Sequence, residues 1–334
     1  MSRLTDAQIQ AAIDAKTKPL GALGRIEALA ADIARFQNTL SPRMERCGLI
    51  VFAADHGIAE EGVSNFPQAV TRQMVSNFLA GGAAANVFAA TAGIDMRVVD
   101  AGVAGDPILH PRLINRRLGP GTSNSAAEPA MSADRFAAAL DAGEALAEEG
   151  DYDALAFGEM GIANTSAATL IGHKLTGAAI AALTGRGTGL SDAALTHKTS
   201  VLTRAAARTS DPLSAEETLI EYGGYEIAMM TGAMLGAAGA GRMILVDGFI
   251  ATSAALAATR IDPSVRAAMI FAHASQEAGH KILLNALGAR PLLSLDMRLG
   301  EGTGALLAWP LVRAAAAMLC DMASFEDAGV SGPA

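Results

Sequence analysis

The chain has 334 residues, 51% of them hydrophobic and 18% charged, with a net charge of -9. A chain of this kind buries a sizeable core and is not disordered by composition. Its acidity argues against nucleic-acid partners in general, so an anionic small substrate needs a local cationic or amide-rich site.

The two cysteines, Cys47 and Cys320, have no metal or disulfide spacing. They read as reduced thiols of a cytoplasmic protein. The polar start Met1-Ser2-Arg3-Leu4 lacks the apolar region of a signal peptide. The most apolar stretch, residues 227–240, is interrupted by Gly and Thr and is shorter than the roughly 20 residues that cross a bilayer. Pro310 and Arg313 interrupt the next candidate, so no membrane segment is expected.

In chain order, Thr5-Asp6-Ala7-Gln8 has capping-box spacing and predicts a first helix. A turn-rich break at Lys18-Pro19-Leu20-Gly21 precedes an amphipathic helix over residues 26–36. Beyond Pro42, short apolar runs recur, each ending in a polar residue: 48–54 before Asp55, 96–99 before Asp100, 154–157 before Glu159 and 243–246 before Asp247. Two more are 269–272 before His273, and 291–295 leading towards Asp296 and Glu301. Helical patterns over 133–149, 227–238 and 277–287 lie between them. Apolar strands alternating with helices predict an α/β fold, a Rossmann-like parallel sheet flanked by helices. Ligands in such sheets sit beyond the carboxyl ends of the strands, where these polar residues fall. The last residues, 330–334, read as a frayed tail.

Three loops carry candidate chemistry. Gly158-Glu159-Met160-Gly161-Ile162-Ala163-Asn164-Thr165 joins a strand to a helix that Asn164 or Thr165 could cap. Free N–H groups at such a helix start suit a phosphate. An ordinary capped helix would look the same, and the unpaired Glu159 tilts the reading towards function. Thr184-Gly185-Arg186-Gly187-Thr188-Gly189 is a second glycine-rich loop, matching neither GxGxxG nor a P-loop. Lys198 beyond it, one of five lysines against 20 arginines, would supply a point charge near a phosphate. The third loop, Leu299-Gly300-Glu301-Gly302-Thr303-Gly304, is expected to leave the last strand and enter an Ala-rich helix capped by Thr303. A Glu among glycines has no packing role, which makes Glu301 the foremost candidate. The helix dipole would lower its pKa and burial would raise it, and the sequence leaves the balance open. Asp55-His56-Gly57 and the pair His273 and His280 do not make a metal site, and no GxSxG is present.

These loops occur together with Lys18-Pro19-Leu20-Gly21-Ala22-Leu23-Gly24-Arg25, Ala54-Asp55-His56-Gly57, Glu61-Gly62-Val63-Ser64, Gly223-Gly224-Tyr225-Glu226 and Val246-Asp247-Gly248-Phe249. In this order, over nearly the whole length, the chain resembles the nicotinate-nucleotide–dimethylbenzimidazole phosphoribosyltransferases (the CobT family) of cobalamin lower-ligand synthesis. The resemblance implies transfer of the phosphoribosyl group of nicotinate mononucleotide to 5,6-dimethylbenzimidazole, with no cofactor and no metal. Glu301 falls on the general base, and Glu159 and Lys198 fall on the nucleotide side. The 5′-phosphate is expected on residues 161–165, including Gly161, Asn164 and Thr165, with Gly187, Lys198, Ser275 and Arg298. Phe66, Met74 and Leu299 are expected around the base. The resemblance also implies a homodimer, a large α/β domain over 41–304, and a small helical domain from 1–40 and 305–334. Two other readings stand beside it: a nucleotide-binding oxidoreductase, and a non-catalytic nucleotide-binding module.

Overall fold

In a computed structural model that describes residues 3–187 and 189–331, five of the six apolar runs form strands of one parallel sheet. Met1, Ser2, Thr188 of the second glycine-rich loop and the tail end, 332–334, lie outside the described residues. The chain begins with α1 (Asp6–Asp14), α2 (Arg25–Gln37), β1 (Cys47–Ala54), α3 (Ala69–Ala80), α4 (Ala84–Ala92), β2 (Asp95–Gly102) and β3 (Leu113–Asn115). It continues as α5 (Ala133–Glu148), β4 (Ala154–Met160), α6 (Asn164–Thr176), α7 (Ile180–Leu183), α8 (Asp192–Ala206), α9 (Ala215–Tyr222) and α10 (Tyr225–Gly239). The last part holds β5 (Met243–Val246), α11 (Phe249–Ile261), β6 (Met269–Phe271), α12 (His280–Ala286), α13 (Thr303–Asp321) and α14 (Phe325–Ala328).

The strand order is β3-β2-β1-β4-β5-β6, with every neighbouring pair parallel. The sheet therefore winds outward in both directions from β1 and β4, and a crevice opens at their carboxyl ends. Every residue of β1 is buried, as a strand covered on both faces requires. Its side chains alternate between two cores. Ile50, Phe52 and Ala54 pack with residues of α5, α10 and α11. Leu49, Val51 and Ala53 pack with residues of α1, α2, α4 and α13. The α5–α10 contact is made backbone to backbone. A Cβ on Gly143 would lie 1.9 Å from the Met229 carbonyl oxygen, and one on Gly232 would lie 2.2 Å from that of Leu140.

Three expectations need correction. Residues 291–295 are not a strand: only Leu293 bridges to His273, and the segment runs half-exposed to the Glu301 loop. A sixth strand is present instead at β3, a three-residue edge with only Leu113 buried. Pro310 and Arg313 do not interrupt the last long helix, because α13 continues through Pro310. It is long and apolar enough to cross a membrane, but 61% of that stretch is buried, with Trp309 and Val312 in the same core as Leu49. The capping box at Thr5 is present, with Thr5 and Gln8 exchanging bonds between side chain and backbone.

Candidate functional site

The strand ends create a cavity of about 340 Å³ beyond β4, β5 and β6, and every residue singled out above as a site candidate lines it. One wall is acidic, one is cationic, and much of the remainder is apolar.

The acidic wall is built on β4. Glu159 lies near its end and Glu301 lies in the neighbouring loop with φ 61, a left-handed conformation rare outside glycine. The two acids are seated by each other's neighbours. The Glu301 carbonyl rests on Gly158, where a Cβ would come within 2.4 Å of it. Glu159 Oε1 rests on Gly300, where a Cβ would come within 2.2 Å. Glu159 accepts a hydrogen bond from the Asn164 side-chain amide. Burial, then the charges of Glu226, Asp247 and Glu301, push its pKa up to about 8, with the Glu301 backbone N–H pulling the other way. Glu159 is therefore largely protonated at neutral pH and able to donate.

Glu301 is 5% exposed, and its Oε2 has no hydrogen-bond partner among the described residues. Burial raises its pKa, the Ala85 backbone N–H at the start of α4 lowers it, and Asp247 raises it further. Burial wins the balance that the sequence left open. The opposing helix end belongs to α4, and not to the helix that follows Glu301. That following helix, α13, is not capped by Thr303. Its cap position is Gly302, and the Thr303 hydroxyl donates to the Gly300 carbonyl at 2.8 Å. Asp247 serves the helix start instead, accepting from the Ala305 N–H at 3.0 Å.

On the cationic wall, Lys198 is 1% exposed, and its Nζ donates to Thr165 Oγ1 at 2.7 Å. Burial lowers its pKa to about 8, against the pull of Glu277. Arg298 is exposed and donates through Nη1 to the Gly187 carbonyl at 2.9 Å. Ser275 donates its backbone N–H to His280 Nδ1 at 2.9 Å. His280 Nε2 must then carry its proton towards Thr252, and burial lowers the His280 pKa to about 3.

Neither Asn164 nor Thr165 caps α6, because their side chains are engaged by Glu159 and Lys198. The cap position is Ala163, at φ 76, with no side-chain bond. The first turn of α6 thus lines the cavity without a side-chain cap, although its Asn164 and Ser166 N–H groups already donate to the Gly161 and Ala163 carbonyls. Its entry is held from below. Ile162 N–H donates to Thr71 Oγ1 at 3.1 Å, Thr71 donates to Asp55 Oδ1 at 2.8 Å, and Ala104 N–H donates to Asp55 Oδ2 at 2.8 Å.

Val63, Val70, Met74, Met160 and Ile162 supply apolar lining, while Phe66 and Leu299 are 46% and 56% exposed and form its rim. The sequence reading placed Asp247 and His273 at strand ends without naming them as site residues, and it missed Glu277; all three line the cavity. Asp247 and His273 end apolar runs, so the strand-end rule alone could have found them. His273 is buried, and its Nε2 lies 3.6 Å from Asp247. Glu277 gave no signal in the sequence.

A family model described as a phosphoribosyltransferase matches residues 1–330. The nicotinate-nucleotide–dimethylbenzimidazole phosphoribosyltransferase of Cupriavidus necator is 54% identical over 328 residues, covering 97% of this chain and 94% of the relative. The enzyme of the same name from Aromatoleum aromaticum is 53% identical, over 97% and 95%. The crystal structure of CobT from Thermus thermophilus superposes with a TM-score of 0.95 at 44% identity, over 98% of this chain and 99% of that one. With a doubly wound sheet, a site at the carboxyl ends of its strands and relatives matched end to end, the chain belongs to this phosphoribosyltransferase family.

Proposed function

We propose that the protein transfers the 5-phosphoribosyl group of nicotinate mononucleotide to 5,6-dimethylbenzimidazole, releasing nicotinate and α-ribazole 5′-phosphate for the cobalamin lower ligand. One ring nitrogen of the base donates its lone pair to C1′. The bond from C1′ to the nicotinate nitrogen breaks, and nicotinate leaves with that electron pair. The other ring nitrogen gives up its proton to the Glu301 carboxylate. Attack builds positive charge on the incoming base, and a positioned carboxylate relieves it. The leaving pyridinium is already activated, so much of the work is orientation of two flat reactants.

One observation carries the assignment of the base. Glu301 holds a buried carboxylate oxygen with no partner among the described residues, in a cavity with apolar lining, and burial makes that group more basic than an ordinary glutamate. In the same reading the 5′-phosphate occupies the start of α6 near Lys198, with Gly187, Ser275 and Arg298 around it, and Glu159 acts as a neutral donor towards the nucleotide. Phe66, Met74 and Leu299 flank the base. We also infer a cytosolic homodimer, with 1–40 and 305–334 as a small helical unit beside 41–304; these inferences rest on the family resemblance.

An oxidoreductase is not favoured, because β1 ends in Asp55-His56-Gly57, where a dinucleotide site needs its glycine turn. The deciding experiment incubates the protein with nicotinate mononucleotide and dimethylbenzimidazole and separates the products. Nicotinate and α-ribazole phosphate should appear in equal amounts. Folded protein that yields neither refutes the proposal, and binding without turnover would favour the non-catalytic module.

A further inference from the structure

A carboxylate in the cationic half of the cavity has no place in the scheme so far. Glu277 lies before α12 and lines the cavity together with Lys198 and Arg298. Its Oε2 is buried without a hydrogen-bond partner among the described residues. That oxygen presses on Gly185, where a Cβ would come within 2.0 Å of it. The Gly187 N–H points to the same carboxyl, and Arg298 takes the Gly187 carbonyl at 2.9 Å. Glu277 and Arg298 thus stand on the two sides of Gly187. Lys198, from α8, and Arg298, from the segment after β6, are the charged groups whose fields reach Glu277, and both favour its anion. Neither forms a contact ion pair with it among the described residues. Lys198 gives its short bond to Thr165 instead.

An anion site gains nothing in affinity from a fixed negative charge. A bound phosphate would share Lys198 and Arg298 with Glu277 and be repelled by it. Substrate and product of the proposed reaction both carry a 5′-phosphate, so a site that held this group too firmly would retain its product. Resting on the phosphate placement proposed above, we infer that Glu277 is a built-in counter-anion. It occupies the field of Lys198 and Arg298 when the site is empty and sets an upper limit on the affinity for the 5′-phosphate, so that the product leaves. Burial raises the Glu277 pKa and the two cations oppose this. The repulsion therefore grows as pH rises and the carboxyl ionises.

The test is Glu277→Gln, which keeps an acceptor for the Gly187 N–H and removes the charge. Binding of inorganic phosphate and of nicotinate mononucleotide is measured by calorimetry at pH 6 and pH 8 for both proteins. The variant should bind phosphate more tightly than wild type at pH 6, by on the order of tenfold for loss of one unit charge at short range, with a smaller gain at pH 8 where Lys198 loses its charge sooner in the variant. Glu277 supports the Lys198 charge, so the variant also loses Lys198 protonation at lower pH; pH 6, well below the wild-type Lys198 pKa of about 8, is therefore the deciding condition. In steady state the variant should show a lower KM for the nucleotide and a lower kcat limited by product release. Equal or weaker phosphate binding by the variant overturns the inference while leaving the reaction assignment intact. Weaker binding of the nucleotide with unchanged phosphate affinity would make Glu277 a ribose acceptor, which also overturns it. A wild type that binds no phosphate removes the site itself, and the phosphate placement with it.

Discussion

Glu159→Gln measures what it costs to keep a carboxyl at the end of β4. The variant preserves shape and contact with Asn164 but removes the ionisable proton. In the folded chain the Glu159 pKa is about 8, against 4.5 for an ordinary glutamate. With the folded pKa raised, the folded state keeps a proton that the unfolded state has already released. The contribution to stability is full below about pH 4.5 and is lost as pH rises through about 8. The rise from 4.5 to about 8, at about 1.36 kcal/mol per pKa unit, corresponds to about 5 kcal/mol. Asp247 and Glu301 ionise more readily once Glu159 is gone, which trims the measurable difference to on the order of 3–5 kcal/mol. The assay is urea unfolding of both proteins at intervals between pH 5 and 8.5. Wild type should lose that much stability relative to the variant across the window. Lys198, whose lowered pKa of about 8 gives a pH dependence of opposite sign, titrates in both and drops out of the comparison. Two parallel stability curves would refute the argument, since they would mean that Glu159 ionises in the fold as readily as in the unfolded chain.

The site makes further predictions. Glu301→Gln should lower kcat by about 10²–10⁴-fold in a nicotinate-release assay while nicotinate mononucleotide still binds. Because burial raises the Glu301 pKa, wild-type kcat should rise with pH through a midpoint above 4.5, and this limb should vanish in the variant. A midpoint at or below 4.5 contradicts the assignment. Lys198→Ala should weaken nicotinate mononucleotide binding by about 10–100-fold, as expected for loss of a charge-assisted hydrogen bond. In wild type that affinity should fall as pH rises through about 8; calorimetry with an unchanged dissociation constant in the variant would return Lys198 to a purely structural role. Gly143→Ala puts a methyl group 1.9 Å from the Met229 carbonyl, and should cost about 1–3 kcal/mol in urea unfolding as α5 is pushed from α10. Unchanged stability would mean that the two helices have room to part.

The sequence was most legible where burial is two-sided. β1, β4 and β5 are apolar at every position or nearly so, and stand out from any amphipathic pattern. β3 escaped because three residues at a sheet edge, with one buried, carry no period. Residues 291–295 misled for the opposite reason: they have strand composition but pair only briefly, at Leu292 and Leu293, with the end of β6 and the residues that follow it. In the site, Glu159, Glu301 and Lys198 were visible as charges without an evident local partner. Their caps and neighbours were not. Which side chain satisfies the start of α6 or α13 depends on groups brought in from elsewhere, such as Asp247 at Ala305 and Lys198 at Thr165. Glu277 shows the limit most clearly. An exposed-looking Glu before a short helix has no anomaly in sequence, and it gains one only when Lys198 and Arg298 arrive beside it.

The mutual seating of Glu159 and Glu301 has a consequence for how such a protein diversifies. The two acids are fixed through Gly158 and Gly300, so neither can drift without moving the other and the central strand beneath. Phe66, at the cavity mouth, stands on a separate segment before α3 and faces solvent, whereas Leu299 adjoins Gly300 in the loop that seats the acids. Substitutions at Phe66 can reshape what the cavity admits without touching the acids. On the proposed assignment, the reactive centre and the choice of incoming ring are thus separable in heredity: one is locked into the sheet, and the other depends on a rim that selection is free to edit.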